Sequence, residues 1–168
     1  KELNYFQGKK LKDGILGGMK LMNEYYNNHL NKGLEYQDFL SLILLKYGIV
    51  LNNYCSKKYQ IEKGENLIGV EIKFDDKHKT TGNLFIEIAE KTNSSNQNWI
   101  ASGIYRNDKT WLYIMGNYES IYIFSKKRLQ ELHKENKYKV FEISQGTAKG
   151  FLLLQNDIKK YVEKIINL

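Results

Sequence analysis

Apolar residues recur at two different spacings along this chain of 168 residues, and the spacing changes after the first third. Helical spacing predicts a helix over residues 11–30 and a stronger helix over residues 34–52. From there on, apolar and polar residues alternate, which predicts strands over residues 59–61, 68–75 and 83–89. A helical part is therefore followed by a sheet.

A hairpin and a basic helix are predicted in the next part of the chain. Strands over residues 110–115 and 118–124 flank Gly116-Asn117, a pair suited to a tight turn. The basic helix begins after Ser125, a natural N-cap because its hydroxyl can accept a backbone N–H of the first turn.

The last predicted elements are two short strands, over residues 140–143 and 150–154, and a helix over residues 157–166. This mixture predicts an α/β or α+β fold in which helices flank a central mixed sheet. The length suits a single domain. Within it we expect a helical part over residues 1–56 and a sheet-containing core over residues 57–168.

The charge balance favours an anionic partner. Lysine and arginine number 26 against 19 aspartates and glutamates, so the net charge is +7. A basic surface of this kind favours nucleic acid over acidic partners. Lysine supplies nearly all of the positive charge and proline is absent, a bias typical of AT-rich genomes, so part of the charge reflects codon usage.

Cysteine and hydropathy exclude several other classes. Cys55 is the single cysteine, which excludes an intramolecular disulfide and a cysteine-rich zinc module and favours a reducing, intracellular compartment. No apolar run reaches the roughly 18–20 residues that a membrane span needs, so we expect no membrane partner. Cys55 itself is expected to be a partly buried apolar side chain. His78, in a polar loop, is expected to face solvent.

Two carboxylates on successive predicted strands are the candidates for chemistry. Strand parity directs both Asp75 and Glu87 to the polar face of the sheet. Neighbouring strands lie about 4.8 Å apart, so two such carboxylates can share one divalent cation. A cation there can bind a phosphate oxygen and acidify a water, as metal-assisted phosphodiester cleavage requires. A solvated polar face is the alternative explanation for the same pattern.

At these residues the chain resembles the PD-(D/E)xK nuclease superfamily, in which an acid ends one strand and Asp/Glu-x-Lys lies on the next. Asp75 takes the first position, with Asp76 as the alternative, and Glu87-Ile88-Ala89 takes the second. The resemblance implies a restriction-endonuclease-like core. It also implies a DNA endonuclease that depends on Mg²⁺, with Mn²⁺ as a possible substitute.

The same resemblance assigns roles at the site. Asp75 and Glu87 would bind the metal together with the backbone carbonyl of Ile88. Glu71, on the same face as Asp75, is a further catalytic candidate that would contact the metal or its water. Position 89 is where the family has the lysine that orients the attacking water.

Ala89 departs from that pattern, because alanine neither carries charge nor donates a hydrogen bond. Two interpretations stay open. The chain is a catalytically degenerate relative, or alanine replaces an original lysine between Ile88 and Glu90. In the first case the protein is a nucleic-acid-binding module rather than a nuclease.

Basic residues beside the predicted active face are the candidates for contact with DNA phosphates. They are Lys73, Lys77, Lys79, Arg106, Lys109 and Lys149. The resemblance implies double-stranded DNA as the substrate, and a site-specific type II restriction endonuclease that acts as a homodimer through the helix at 34–52. It also implies a bacterial or phage-encoded protein of the cytoplasm. A structure-selective nuclease such as a junction resolvase is the nearest alternative, and an interaction protein without a nucleic-acid role is a third.

Overall fold

The computed structural model describes residues 30–143 and 146–168. Helix α1 covers residues 30–45, which agrees with the stronger of the two predicted helices in place, although it ends earlier than expected. The helix predicted over residues 11–30 lies outside the described residues apart from its last position.

The chain forms two compact units, Lys1–Phe39 and Leu40–Leu168. Among the described residues, every strand and every helix after α1 belongs to the second unit. None of the described helices is long and apolar enough to cross a membrane.

The strands of the second unit form two four-stranded sheets. Sheet I contains, in spatial order, β1 (Val70–Phe74), β4 (Leu112–Gly116), β5 (Ser120–Ser125) and β8 (Lys164–Asn167). Sheet II contains, in spatial order, β3 (Ile100–Ala101), β2 (Leu84–Glu90), β7 (Ala148–Leu153) and β6 (Val140–Ile143). β1 runs parallel to β4, and the other pairs are antiparallel. The mixed α+β class is confirmed.

Short helices connect these strands. They are α2 (Lys57–Lys63), α3 (His78–Thr81), α4 (Lys126–Lys134), α5 (Gln155–Tyr161) and a 3₁₀ turn at Gly103–Tyr105. Helix α4 begins where the sequence predicts, because the Ser125 hydroxyl accepts the backbone N–H of Arg128.

The main apolar cluster joins side chains of both sheets with those of α4 and α5. Sheet II contributes Ile86 and Phe151, and sheet I contributes Tyr113 and Phe124. Leu129 of α4 is fully buried against them. Burial of apolar side chains from both sheets and two helices in one cluster holds the two sheets together.

The hairpin predicted about Gly116-Asn117 is confirmed. β4 and β5 pair antiparallel, with Gly116 opposite Ile121. The side-chain oxygen of Asn117 accepts the backbone N–H groups of Glu119 and Ser120 at 2.8 and 3.1 Å, which closes the turn.

Two predicted elements differ from the structure. Residues 59–61, expected as a strand, lie in helix α2, because three residues are too few to separate a period of two from a helical period. The helix expected over residues 157–166 ends at Tyr161. Val162 adopts an extended backbone, and the apolar residues after it form β8, which pairs with β5.

The strand that leads to Asp75 and the strand that contains Glu87 were expected to be neighbours, and this prediction is wrong. β1 pairs with β4 in sheet I, whereas β2 pairs with β3 and β7 in sheet II. Alternation fixes which residues share a face of a strand, but it does not fix the partner strand. β1 takes its partner from the later β4–β5 hairpin.

Candidate functional site

Five charged side chains gather around β1, and we call them the charge cluster. They are Glu65, Glu71, Lys73, Glu87 and Arg106. Glu71 is only 1% exposed. Its register partner on β4 is Tyr113, a member of the apolar cluster, so this face of β1 turns inward rather than to solvent.

Two cations face Glu71. Lys73 Nζ lies 2.7 Å from Glu71 Oε1, and Arg106 Nη1 lies 3.6 Å from the same oxygen. The side chains of Lys73 and Arg106 are 34% and 26% exposed, so the cluster opens to solvent on its cationic side. Both are ionic contacts to the same oxygen, and the one with Lys73 is short enough for a charge-assisted hydrogen bond.

Two further carboxylates complete the charge cluster. Glu65 Oε2 accepts the backbone N–H of Ile72 at 2.9 Å, which holds it against β1. Burial, with the nearby charge of Glu71, raises the pKa of Glu65 to about 7. On β2, Glu87 Oε1 accepts a hydrogen bond from the Ser102 hydroxyl at 2.7 Å.

The surrounding carboxylates keep Lys73 protonated. Burial by itself lowers the pKa of a lysine, but the charges of Glu71, Glu65 and Glu87 together raise the pKa of Lys73 above its ordinary value. Burial, together with the charge of Glu71, also raises the pKa of Tyr113, so its phenol stays neutral. Lys73 is thus a permanent cation among three carboxylates.

Asp75 lies at the end of β1, where both of its carboxylate oxygens bind backbone amides. Oδ1 accepts the N–H of His78 at 3.1 Å, and Oδ2 accepts the N–H of Phe85 at 3.3 Å. These bonds close the turn after β1 and tie it to the start of β2. Asp76, the alternative first acid, is exposed.

The segment assigned to the second motif contributes mainly to sheet II. The carbonyl of Ile88 accepts the backbone N–H of Ser102 at 3.2 Å. Ala89 is partly buried, packs against the apolar cluster and lies opposite Lys149. A bulge between Glu87 and Ala89 shifts the register of β2, so strand parity does not continue through the motif.

Three of the six basic residues predicted to contact DNA are paired with carboxylates. Lys73 and Arg106 belong to the charge cluster. Lys79 forms an exposed ion pair with Glu119.

The other three lie on the surface or at its edge. Lys77 and Lys109 are exposed. Lys149 is partly exposed on β7, and its Nζ lies 4.8 Å from the ring centre of Trp99. Lys91 Nζ lies 4.5 Å from the centre of the same ring.

Two expectations about single residues are wrong. His78 is 8% exposed, and its Nε2 lies 2.8 Å from the Tyr122 hydroxyl, because α3 turns the imidazole inward. Cys55 is exposed rather than partly buried.

The charge cluster contains an acid-x-lysine triplet that the sequence pattern alone did not single out. The triplet is Glu71-Ile72-Lys73, and a signal for it was present, since residues two apart on a strand share a face. The same alternation suggested a solvated face and hid it. Glu65 lies in a turn region before β1, where no periodic pattern marks it.

Carboxylate oxygens are the ligands that a hard divalent cation binds. Within residues 30–143 and 146–168, no group of three or more Asp, Glu, His or Cys side chains converges as a ligand set. Mg²⁺ needs fewer, since it commonly binds one or two carboxylates and completes its shell with water and phosphate oxygens. The cluster contains the carboxylates of Glu71, whose Oε1 contacts Lys73, and of Glu87, whose Oε1 accepts the Ser102 hydroxyl.

Comparison of the chain with protein-family models, with curated proteins and with solved structures finds no match. The site is therefore interpreted from its own geometry and chemistry.

Proposed function

We propose that this protein is a divalent-metal-dependent DNA endonuclease whose acid-x-lysine motif is Glu71-Ile72-Lys73. The observation that carries the proposal is the buried Glu71 carboxylate, 2.7 Å from the ammonium group of the lysine two residues further along β1. Burying a charge is costly, so such groups are retained where a partner or a function offsets the cost. Ionisable groups with perturbed pKa values gathered in one place favour a functional site.

Each charged residue has a role in this proposal. Glu71 and Glu87 would hold the cation, Mg²⁺ or Mn²⁺. When bound, the cation polarises the scissile phosphate and acidifies a water for attack. Lys73, kept protonated by the carboxylates around it, offsets negative charge that develops on the phosphate. Arg106, at the exposed side of the cluster, binds an adjacent phosphate.

This placement of the motif removes the difficulty at Ala89. The lysine that the family pattern requires is present as Lys73, so position 89 needs none. Its alanine packs against the apolar cluster instead. The departure at this position then carries no implication of a degenerate enzyme.

The finer predictions belong to the same proposal. They are a restriction-endonuclease-like core, double-stranded DNA cut at a specific site, a homodimer and a restriction role in the cytoplasm of a bacterium or a phage-infected cell. A mixed sheet that carries the motif strand supports the core assignment. The net charge of +7 supports DNA as the substrate. Leu42 and Leu45 of α1, 67% and 57% exposed, support a homodimer through this helix.

Cleavage of supercoiled plasmid tests the proposed function. The unaltered protein should cut plasmid in Mg²⁺ or Mn²⁺ and not in EDTA. Glu71→Gln and Glu87→Gln should each lower the rate at least about 100-fold, because each removes a charge from the reacting centre. Glu119→Gln is the matched control, since Glu119 is an exposed carboxylate paired with Lys79, and it should cleave at the unaltered rate.

Unfolding curves of the same variants show whether each one is folded. Undiminished cleavage by folded Glu71→Gln contradicts the proposed site. Absence of cleavage by the unaltered protein in both metals contradicts the proposed activity.

A second candidate function is a nucleic-acid-binding module without catalysis. Glu71 forms ion pairs with both Lys73 and Arg106. This favours the second candidate, since a carboxylate paired with two cations can contribute to stability alone. In that case no variant cleaves, Glu71→Gln lowers stability, and binding of DNA in EDTA is unchanged.

A further inference from the structure

A tryptophan flanked by two lysines lies at one end of sheet II, and we call it the Lys–Trp–Lys platform. Lys91 follows β2, Trp99 precedes β3, and Lys149 lies on β7. The ammonium groups of Lys91 and Lys149 lie 4.5 and 4.8 Å from the centre of the indole ring of Trp99. The indole is partly exposed.

The two positive charges of the platform have no carboxylate partner among the described residues. Neither Lys91 nor Lys149 forms an ion pair there, although Glu142 lies opposite Lys149 in the β6–β7 register. Residues 92–98 are exposed and carry no charge. Two like charges are thus held together beside one ring without an ion-pair partner among the described residues, an arrangement that an anion would stabilise.

The platform and the proposed active site share strands β2 and β7. Glu87 pairs in register with Gly150, the residue next to Lys149, on the neighbouring strand. Lys149 shares a face of β7 with Phe151 and Leu153, which belong to the apolar cluster between the sheets. A nucleic acid bound at the platform therefore lies against the same two strands that carry Glu87 and its register partner.

We propose that the Lys–Trp–Lys platform binds a single-stranded segment of the nucleic acid on which the enzyme acts. An unpaired base stacks on the indole, while Lys91 and Lys149 move from the ring onto the flanking phosphates, as their flexible stems permit. Bases inside a duplex do not expose their faces in this way. The inference rests on the proposed nuclease function and adds that the double-stranded DNA it acts on has an unpaired region beside the site of cleavage.

Binding in EDTA tests the platform without cleavage. The probe is a fluorescein-labelled single strand of about 12 nucleotides, a length within the range that single-strand-binding surfaces cover, compared with its duplex. Trp99→Ala should weaken single-strand binding at least about 10-fold, whereas Trp99→Phe, which keeps a stacking ring, should stay within about 3-fold of the unaltered protein. Trp111→Phe, at the exposed second tryptophan, is the control and should not change it.

The lysines are tested by salt dependence. Lys91→Gln and Lys149→Gln should each reduce the slope of log K against log salt by about 0.7, the value for one phosphate contact with a single strand. Lys159→Gln, at an exposed lysine of α5, should leave the slope unchanged. Each result is read on variants whose unfolding curves match the unaltered protein.

The outcomes separate this inference from the nuclease proposal. Equal single-strand binding by Trp99→Ala and the unaltered protein overturns the platform, even if plasmid is cleaved. Equal loss of single-strand and duplex binding in Trp99→Ala overturns it in favour of a duplex contact. Selective loss of single-strand binding supports the platform, even if no form cleaves and the nuclease proposal fails.

Discussion

Glu71 keeps its carboxylate almost entirely out of water, where Lys73 and Arg106 are its cationic partners. An unpaired buried carboxylate costs several kcal/mol, so the two cations are what permit the charge at this position. Glu65 and Glu87 add negative charge beside it. This crowding of negative charge, together with burial, raises the pKa of Glu65.

The raised pKa of Glu65 predicts a pH-dependent stability in EDTA. Between the ordinary pKa near 4.5 and about 7, the folded protein binds this proton more tightly than the unfolded chain does. The contribution of Glu65 to the free energy of unfolding therefore falls as the pH rises through this window, by about 1–3 kcal/mol. Urea unfolding of Glu65→Gln should show a smaller fall between pH 5 and pH 8. The same pH dependence in both proteins contradicts the assignment.

The burial of Glu71 could be predicted only in part from the residues around it. Alternation correctly places Val70 and Ile72 on a buried face, 3% and 5% exposed. It places Glu71 and Lys73 together on the other face, but it cannot show that this face is also covered. That depends on the packing of sheet I with sheet II, which no local pattern in residues 68–75 contains.

Gly103 allows the 3₁₀ turn to pack closely against β2. Its φ of +51° lies in the left-handed region, and a β-carbon there would overlap the backbone oxygen of Glu87. Glycine alone satisfies both constraints, since it has no side chain. The close approach also brings Ser102 within hydrogen-bond distance of the Glu87 carboxylate.

Gly103→Ala should therefore destabilise the protein by at least about 2 kcal/mol, from backbone strain and from displacement of β2. Chemical denaturation measures the effect. Ala101→Ser, at an exposed position two residues earlier, should change stability by less than about 0.5 kcal/mol. A Gly103→Ala protein as stable as the control would show that a β-carbon fits between the turn and β2, which contradicts this prediction.

Elements specified by residues close to them in sequence could be predicted, whereas an element specified by a distant strand could not. The β4–β5 hairpin is specified by its own turn, and α4 by its Ser125 cap. β8 lies in a segment that also suits a helix, and it is a strand because β5 offers an unpaired edge. That edge is about 40 residues earlier in the chain, beyond the reach of a periodicity argument.

At the scale of the whole molecule, a buried ion pair anchors the loop that carries Arg106. Lys126 Nζ lies 2.9 Å from Asp108 Oδ1 and donates to the Arg106 carbonyl at 2.7 Å. The side chains of Lys126 and Asp108 are 9% and 1% exposed. The pair thus joins the start of α4 to the edge of the charge cluster.

Lys126→Met should destabilise the protein by about 3–5 kcal/mol, because it leaves the Asp108 carboxylate buried without its cation. Denaturant unfolding at neutral pH measures the loss. Lys160→Met is the matched control, since Lys160 forms an ion pair of 2.7 Å with Asp157 but is 62% exposed. The control should lose less than about 1 kcal/mol. Similar losses in both variants would show that loss of the buried Lys126–Asp108 pair costs no more stability than loss of an exposed pair.

The arrangement of the two sheets was the part of the fold that the sequence could not supply. The parallel β1–β4 pair joins segments separated by two strands of the other sheet, β2 and β3. Loop lengths and alternation permit several such pairings. Asp75 and Glu87 were predicted to lie on neighbouring strands, and the observed strand pairing contradicts this. Glu71 and Glu87, both among the predicted catalytic residues, instead raise the pKa of the same lysine, Lys73.

Cleavage assays on two lysine variants show which position carries the essential lysine of the proposed nuclease. Plasmid cleavage in Mg²⁺ is compared for the unaltered protein, Lys73→Met and Ala89→Lys, with EDTA as the blank. We predict cleavage by the unaltered protein, a loss of at least about 100-fold in Lys73→Met, and no gain in Ala89→Lys. Cleavage by Ala89→Lys alone would contradict the account and return the motif to Glu87-Ile88-Ala89.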